Sequence, residues 1–386
     1  MLEAEERLRH ALDERRNDES LRALTTSDGF IDFCSNDYLG FSRSQILKDR
    51  IREELTRNPV RHVGSTGSRL ISGNSEYCEA LERYIAGFHQ AESGLIFNSG
   101  YDANLGVFSS VPQRTDTILY DRLVHASIRD GIRLSHARAF SFDHNNLESL
   151  ERRLKTWSAE RKGQGGAGTI FVAVESVYSM DGDCAPLTEM AGMCRKYGAS
   201  LIVDEAHATG VFGEHGRGKV VELGLQKEVF ARLHTFGKAL GCHGAIVLGS
   251  NALRTYLINF ARSFIFTTAL PFHSLAAIRC AYELLAADDE LINTLRNRIS
   301  YFRDNAGADV ARQLIPSDSA IQCVVIPGNA GVRKVALRLQ EEGFDVRPIM
   351  HPTVAAGSER LRVCLHAFNT GDEITSLINK LRTLRP

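Results

Sequence analysis

Ser200-Leu201-Ile202-Val203-Asp204-Glu205-Ala206-His207 is an apolar run that stops on a carboxylate, with a histidine three residues further on. A second run, Val229–Thr235, leads into Thr235-Phe236-Gly237-Lys238. Runs of the same kind recur from about residue 94 to 250, at 95–97, 117–120, 137–142, 169–174, 200–204, 231–235 and 245–248, with helical stretches between several of them. One such stretch, 79–88, carries Leu81, Ile85 and Phe88 at helical spacing. Short apolar strands alternating with helices predict an α/β fold whose mostly parallel sheet is buried on both faces. Ligands of such sheets bind outside the carboxyl ends of the strands. Asp204 and Lys238 both fall there.

A carboxylate buried at a strand end is costly unless it meets a cation or hydrogen-bond donors. On its own, Asp204 would fit a structural role equally well. Lys238, however, follows a glycine at the end of the next run. A lysine desolvated in a pocket loses its proton more readily and becomes an amine nucleophile. A lysine for a Schiff base and a carboxylate for a pyridinium nitrogen are the pair that pyridoxal 5'-phosphate requires. That cofactor also needs a phosphate site. Asn98-Ser99-Gly100-Tyr101 follows the 95–97 run and opens a predicted helix, whose N-terminal amides suit a phosphate. His125, in Asp121-Arg122-Leu123-Val124-His125 after the 117–120 run, can stack on an aromatic ring; a histidine after a strand is otherwise more often structural.

The chain has 386 residues, long enough for one large and one smaller domain. We expect an N-terminal arm over 1–45, a cofactor-binding domain over 46–284 and a small α+β domain over 285–386. Residues 1–22 read as an amphipathic helical arm with Leu8, Leu12 and Leu21 among many charges. The final helix opens at Thr370 with Glu373 three residues on, a capping box. A net charge of −1 predicts no nucleic-acid or anionic-membrane partner. Early acidic residues argue against a secretion signal, and no apolar run reaches membrane-spanning length. Eight cysteines without a CxxC pair predict free thiols in the cytoplasm, with Cys34, Cys323 and Cys364 as small core residues.

Three motifs mislead. Gly163-Gln164-Gly165-Gly166-Ala167-Gly168 fits G-x-G-x-x-G, yet a helical segment precedes it and a strand follows, the reverse of a dinucleotide site. Asp204-Glu205-Ala206-His207 spells a helicase box without any phosphate loop. Asp181-Gly182-Asp183 lacks the other ligands of a calcium loop, so a turn and no metal are expected.

Taken in order, several segments resemble the fold-type I pyridoxal-phosphate enzymes, and more narrowly the α-oxoamine synthases. They are Ser35-Asn36-Asp37-Tyr38-Leu39-Gly40, Gly64-Ser65-Thr66-Gly67-Ser68-Arg69, 121–127, 175–183, 204–210, 235–241, 267–271 and Arg360-Leu361-Arg362. That family joins an amino acid to an acyl-CoA with loss of carbon dioxide. The resemblance implies that Lys238 carries the cofactor and moves the α-proton, that Asp204 pairs with the ring nitrogen, and that His125 stacks on the ring and assists decarboxylation. It makes His207 and Ser179 partners of the ring oxygen, and Ser99, Gly100, Tyr101 and Thr235 the phosphate site. Thr268 would reach that phosphate from a second subunit, implying a homodimer. Arg362 would clamp the amino-acid carboxylate, and Asn36 would contact substrate. Ser72-Gly73-Asn74-Ser75 and Pro352-Thr353-Val354 with Gly357 look most like the 8-amino-7-oxononanoate synthases, which use L-alanine and a pimeloyl thioester. Members of that group often carry Arg-Pro before Pro-Thr-Val, where this chain has Met350-His351. The distal carboxylate of such an acyl chain needs a cation, for which Arg22, Arg69 and His351 are candidates. 2-Amino-3-ketobutyrate CoA ligase, 5-aminolevulinate synthase and serine palmitoyltransferase are the rival reactions, and a non-catalytic module on the same fold is the rival of another class.

Overall fold

The computed structural model describes residues 3–26, 28–59, 62–163 and 165–384. Met1, Leu2 and Gln164, on which the N-terminal and glycine-rich readings partly rest, lie outside the described residues. The chain divides into two compact units. One comprises 36–179 and 184–293, the other 1–35, 180–183 and 294–386.

In the first unit, a seven-stranded sheet is formed among the described residues. Its strands are β1 (Ser93–Phe97), β2 (Thr117–Asp121), β3 (Arg138–Phe142), β4 (Ile170–Glu175), β5 (Ala199–Asp204), β6 (Val229–Thr235) and β7 (Ala245–Gly249). They lie in the order β1-β7-β6-β5-β4-β2-β3. β7 is antiparallel to both neighbours, and the other pairings are parallel. Every predicted strand of this region is present, shifted by one or two residues. The central strands are β-branched and apolar because helices cover both faces: Ile170 to Glu175 are buried without exception, as are Leu201, Ile202 and Val203. The 79–88 periodicity belongs to a helix running Glu76–Phe88, which buries Leu81, Ile85 and Phe88 and is capped by Ser75. The glycine-rich segment follows the helix Leu147–Gly163 and precedes β4. Its Gly165 and Gly166 hold positive φ, as a turn requires.

The second unit contains a three-stranded antiparallel sheet, Arg347–Ile349, Arg360–Cys364 and Ile321–Val325, and the final helix Gly371–Thr383 with its Thr370/Glu373 capping box. The predicted strand at 344–349 is two strands: Phe344–Asp345 pairs in parallel with Ile31–Asp32, and Arg347–Ile349 joins the sheet. That first pairing groups residues up to 35 with the C-terminal segment, so the unit boundary falls at 35/36 where 45/46 was expected. The other boundary, 293/294, lies inside the helix Glu290–Asn305 and not before it at 284/285. The turn at 180–183 belongs here too. Ser317 and Ser319 donate to the Gly182 carbonyl at 2.8 Å each, and Arg360 pairs with Asp181. The N-terminal helix is shorter than the predicted arm, Glu3–Asn17, and buries none of its residues. Cys323 and Cys364 are core residues, whereas Cys34 is only half-buried, a correction to its predicted place. Among the described residues, no helix is long and apolar enough to cross a membrane.

Candidate active site

β1 and β6 are each antiparallel to β7, so they run parallel to each other. The carboxyl ends of β1, β2, β4, β5 and β6 therefore open on one edge. Asp204 closes β5, and β6 ends at Thr235, three residues before Lys238. The turn after β6 is tied by Cys242 N–H to the Phe236 carbonyl at 2.8 Å and Gly241 N–H to the Lys238 carbonyl at 2.9 Å. Lys238 Nζ lies 2.7 Å from His207 Nε2, and His207 Nδ1 lies 2.7 Å from the buried Tyr38 hydroxyl. Tyr38 donates in turn to Asn36 Oδ1 at 3.1 Å. An ammonium nitrogen only donates, so Nε2 accepts, the ring proton sits on Nδ1, and Tyr38 accepts from it. The chain Lys238, His207, Tyr38, Asn36 is then satisfied at each link.

Asp204 is buried. Its Oδ1 accepts from Ala206 N–H at 2.9 Å and its Oδ2 from Asn104 Nδ2 at 2.7 Å. Asn104 Nδ2 also reaches Ser127 Oγ at 3.0 Å, and Ser127 Oγ lies 2.8 Å from His125 Nδ1. The Ser127 amide points at that same Nδ1, at 3.2 Å. Two donors on Nδ1 leave the His125 proton on Nε2. Burial holds the His125 pKa below its ordinary value; the nearby Asp204 charge opposes this and Lys238 adds to it. The neutral ring therefore presents one N–H donor at neutral pH.

Glu175 is the carboxylate the motif reading missed. It ends β4, is the register partner of Asp204, and accepts the His125 backbone N–H at 2.6 Å and an amide of Ser179. Burial first, and the Asp204 charge second, push its pKa up to about 8. Its signal was present: Val172-Ala173-Val174-Glu175 repeats the pattern of an apolar run ending in an acid. Ser179, itself buried, lies in the segment that follows. Tyr38, Asn104 and Ser127 were also not singled out. Asn104 and Ser127 sit inside helices, where a polar residue carries no sequence signal of its partner.

Ser99 caps the helix Gly100–Ser110, accepting from Asp102 N–H at 3.0 Å. A Cβ on Gly100 would come within 3.7 Å of Thr235, so the helix start and the β6 end adjoin. The amides of Gly100 and Tyr101 lie in the first turn, outside the helical ladder. Tyr101 is partly exposed and its hydroxyl bonds to Asp130. The Thr268 carbonyl accepts from Asn98 Nδ2 at 2.8 Å, and Thr268 bridges to Ser68. Arg69 is committed to the buried Glu82, with Asn74 as a further partner at 2.6 Å, which removes it as a free cation. In the other unit, Arg362 is buried on the strand Arg360–Cys364, with Nη1 2.8 Å from Cys364 Sγ. Exposed Arg22 donates to Thr353 Oγ1 at 3.1 Å, and both line a cavity of about 600 Å³ together with His351.

The profile of the aminotransferase class I and II family matches residues 28–381. The chain is 47% identical over 97% of its length to an 8-amino-7-oxononanoate synthase of Emericella nidulans, covering 94% of that protein. It is 37% identical over 97% of its length to the aminoacyl transferase sphA of Byssochlamys spectabilis, covering 86% of it. Bacterial proteins with the first name are 37–42% identical. Among solved structures, a serine palmitoyltransferase of Sphingomonas wittichii superposes with a TM-score of 0.88 at 27% identity, over 100% of this chain and 98% of that one.

Proposed function

This chain belongs to the aminotransferase class I and II family, and from that membership we propose that it is a pyridoxal-phosphate-dependent acyltransferase. It condenses L-alanine with a pimeloyl thioester to give 8-amino-7-oxononanoate, coenzyme A and carbon dioxide, a step of biotin synthesis. The observation that carries this reading is the 47% identity, along 97% of the chain, to a relative of that name.

The residues fit the cofactor. Lys238 stands on a turn beside a hydrogen-bonded histidine, a buried carboxylate closes the adjacent strand, and a capped helix start adjoins Thr235. Ser99, Gly100, Tyr101 and Thr235 hold the phosphate, His207 and Ser179 the ring hydroxyl, Asp204 the ring nitrogen and His125 the ring face. Bound pyridoxal phosphate supplies a carbonyl for covalent attachment and a sink for negative charge arising at the amino acid's Cα. The protein's part is to place and time the protons. Lys238 Nζ takes the proton from Cα, and His207 Nε2 steadies that nitrogen while it waits. The Asp204 carboxylate, fixed by Asn104 and the Ala206 amide, keeps a proton on the ring nitrogen by charge. His125 Nε2–H donates to the carboxylate or carbonyl oxygens that gain charge in the later steps. Arg362 pairs with the amino-acid carboxylate and orients the Cα–H bond; Asn36 contacts substrate. With Arg69 paired, Arg22 and His351 receive the distal carboxylate of the acyl chain.

The active form is a homodimer in which Thr268 of the partner subunit reaches the cofactor phosphate. The resemblance around 267–271 supports this, as do the exposed Val63, Ile71 and Phe266 of the same unit. Eight free cysteines suit the reducing cytoplasm. The structural likeness to a serine palmitoyltransferase favours serine with a long-chain acyl-CoA as the second reading, at much lower identity. A coupled CoA-release assay over a panel of amino acids and acyl-CoAs decides. Alanine with pimeloyl-CoA should give the highest kcat/KM. A higher value for serine with palmitoyl-CoA, or glycine with acetyl-CoA, overturns the substrate assignment.

A further inference from the structure

Two helices of the first unit bring Asp204 and His125 into one hydrogen-bonded chain. The helix Gly100–Ser110 supplies Asn104, and the helix Ala126–Leu134 supplies Ser127. They pack closely because Gly131, one turn beyond Ser127, has no side chain. A Cβ there would stand 2.8 Å from Phe108 Cβ and 3.0 Å from the Asn104 carbonyl oxygen. Asn104 and Ser127 are 2% and 1% exposed, so water does not compete for their bonds. The Asn104 nitrogen has two protons and both are placed, one on Asp204 Oδ2 at 2.7 Å and one on Ser127 Oγ at 3.0 Å. The opposite orientation would set the amide oxygen against the Asp204 carboxylate. The double donation has a cost, for the buried Asn104 Oδ1 has no partner among the described residues. Ser127 Oγ, accepting from Asn104, turns its own proton to His125 Nδ1 at 2.8 Å.

His125 is also the N-cap of the helix Ala126–Leu134, its Nδ1 accepting the Ser127 amide at 3.2 Å. A proton on Nδ1 would face both donors and remove the cap. The positive end of the helix would repel the resulting imidazolium. Burial disfavours that cation too; of the charges around the ring, Asp204 and Asp130 favour it and Lys238 opposes it. Glu175, which accepts the His125 backbone N–H, is pushed up to about 8 by burial and by Asp204, so its carboxyl is largely neutral at pH 7.

We infer that Asn104, acting through Ser127, is a positioning residue that insulates His125 from the Asp204 charge and locks its ring as an Nε2–H donor. A carboxylate bonded directly to a histidine Nδ1–H does the reverse: it stabilises the imidazolium, as in the serine-protease triad. An amide suits the place between them because one neutral nitrogen donates in two directions, whereas a hydroxyl there offers a single proton and a carboxylate none. The Asp204 charge thereby stays available to the cofactor's ring nitrogen. A neutral imidazole lies on a ring whose nitrogen is protonated without repulsion; an imidazolium would set two cations face to face. The use of the Nε2 proton rests on the condensation proposed above, whereas the tautomer itself does not.

The test reads the ring directly, by nitrogen NMR of the full chain labelled with 15N-histidine, with pyridoxal phosphate bound and with it removed. The signal that His125→Gln loses identifies His125. It should be neutral at pH 7, with its proton on Nε2. Ser127→Ala leaves the bond from Asn104 to Asp204 in place and removes a donor to the neutral ring, so His125 should take up its second proton about one pH unit higher. Ser127→Thr, which keeps the hydroxyl, should restore the parent titration. Asn104→Ala should raise the titration at least as far as Ser127→Ala, because the freed Ser127 hydroxyl then turns towards Asp204 and accepts from Nδ1–H. A parent protein with the neutral ring protonated on Nδ1, or with an imidazolium at pH 7, overturns the inference. So does a titration that moves in neither Ser127→Ala nor Asn104→Ala, which would leave the two residues a merely structural role. Absence of condensation with every thioester, alongside the expected NMR response, instead refutes the proposed reaction and leaves the tautomer lock standing.

Discussion

At the scale of single residues, the site separates its charges by environment. Lys238 Nζ stands beside His207 Nε2, and replacement of this lysine by alanine should abolish turnover without unfolding the protein. Borohydride reduction followed by peptide mass mapping should place the cofactor on Lys238; a label on any other lysine refutes the assignment. Asp204→Asn keeps the shape, but the charge is gone and its single amide oxygen can accept from only one of the two donors, Ala206 N–H and Asn104 Nδ2, that hold the carboxylate. Loss of one preorganised electrostatic contact costs about 100- to 1000-fold in rate, and a near-normal rate would remove Asp204 from the ring-nitrogen role. Glu175 behaves oppositely. Its carboxyl is held up near pKa 8, against about 4.5 for a free one. The folded state therefore holds that proton more tightly than the unfolded chain. Its contribution is whole below pH 4.5 and is lost as pH climbs to 8. Glu205, buried and pushed to about 7, adds a decline that ends lower. Glu175→Gln, an uncharged acceptor for the His125 amide, should abolish the loss of thermal stability between pH 7 and 8 in cofactor-free protein. Melting curves from pH 5 to 9 with the same slope as the parent would show that Glu175 is ionised throughout.

At the scale of elements, the turn from Phe236 to Gly241 delivers the lysine, and its glycines explain why it is tight. Gly241 has φ 59°, and a Cβ there would stand 2.3 Å from the Ser42 backbone nitrogen. Gly241→Ala should cost about 1–3 kcal/mol of stability and shift the turn bonded to the Lys238 carbonyl. A lower melting temperature with kcat reduced more than KM is expected; an unperturbed kcat would show that the turn absorbs the methyl group. The legibility of the chain follows the same division. Strands of the large sheet were readable because burial on both faces demands continuous apolar runs, and the candidate site residues at their ends stood out because a charge after such a run is conspicuous. Asn104 and Ser127 were not readable: they link Asp204 to His125 from two different helices, and only the packing of those helices reveals it. The split of 344–349 into two strands was hidden for a similar reason. Its first half pairs with Ile31–Asp32, some 310 residues away, and no local pattern announces a partner that distant.

At the scale of the whole molecule, the exposed apolar side chains bear on how many chains make one enzyme. Ile71 is 85% exposed, Val63 88% and Phe266 70%, large apolar side chains on segments that carry no other visible role. Scattered single residues of this kind are normal on a monomer, but these cluster in sequence around the Arg69–Gly73 turn and around Thr268, the residue assigned to a neighbouring subunit's phosphate. The helix Arg262–Ile265 also approaches that turn, since the Arg69 guanidinium lies over the Phe264 ring at 5.7 Å. Burial of each such side chain in a dimer is worth about 1.5–3 kcal/mol, and a charge placed among them would remain buried without a partner. Ile71→Asp together with Phe266→Asp should therefore convert the dimer to a monomer in sedimentation experiments. The monomer should lose most of its activity and retain its cofactor poorly, because each phosphate site would lack the partner's Thr268. Thr268→Ala alone should weaken cofactor retention while leaving the dimer intact. The two variants thus separate assembly from phosphate binding. A parent protein that sediments as a fully active monomer at assay concentration would contradict the shared site outright.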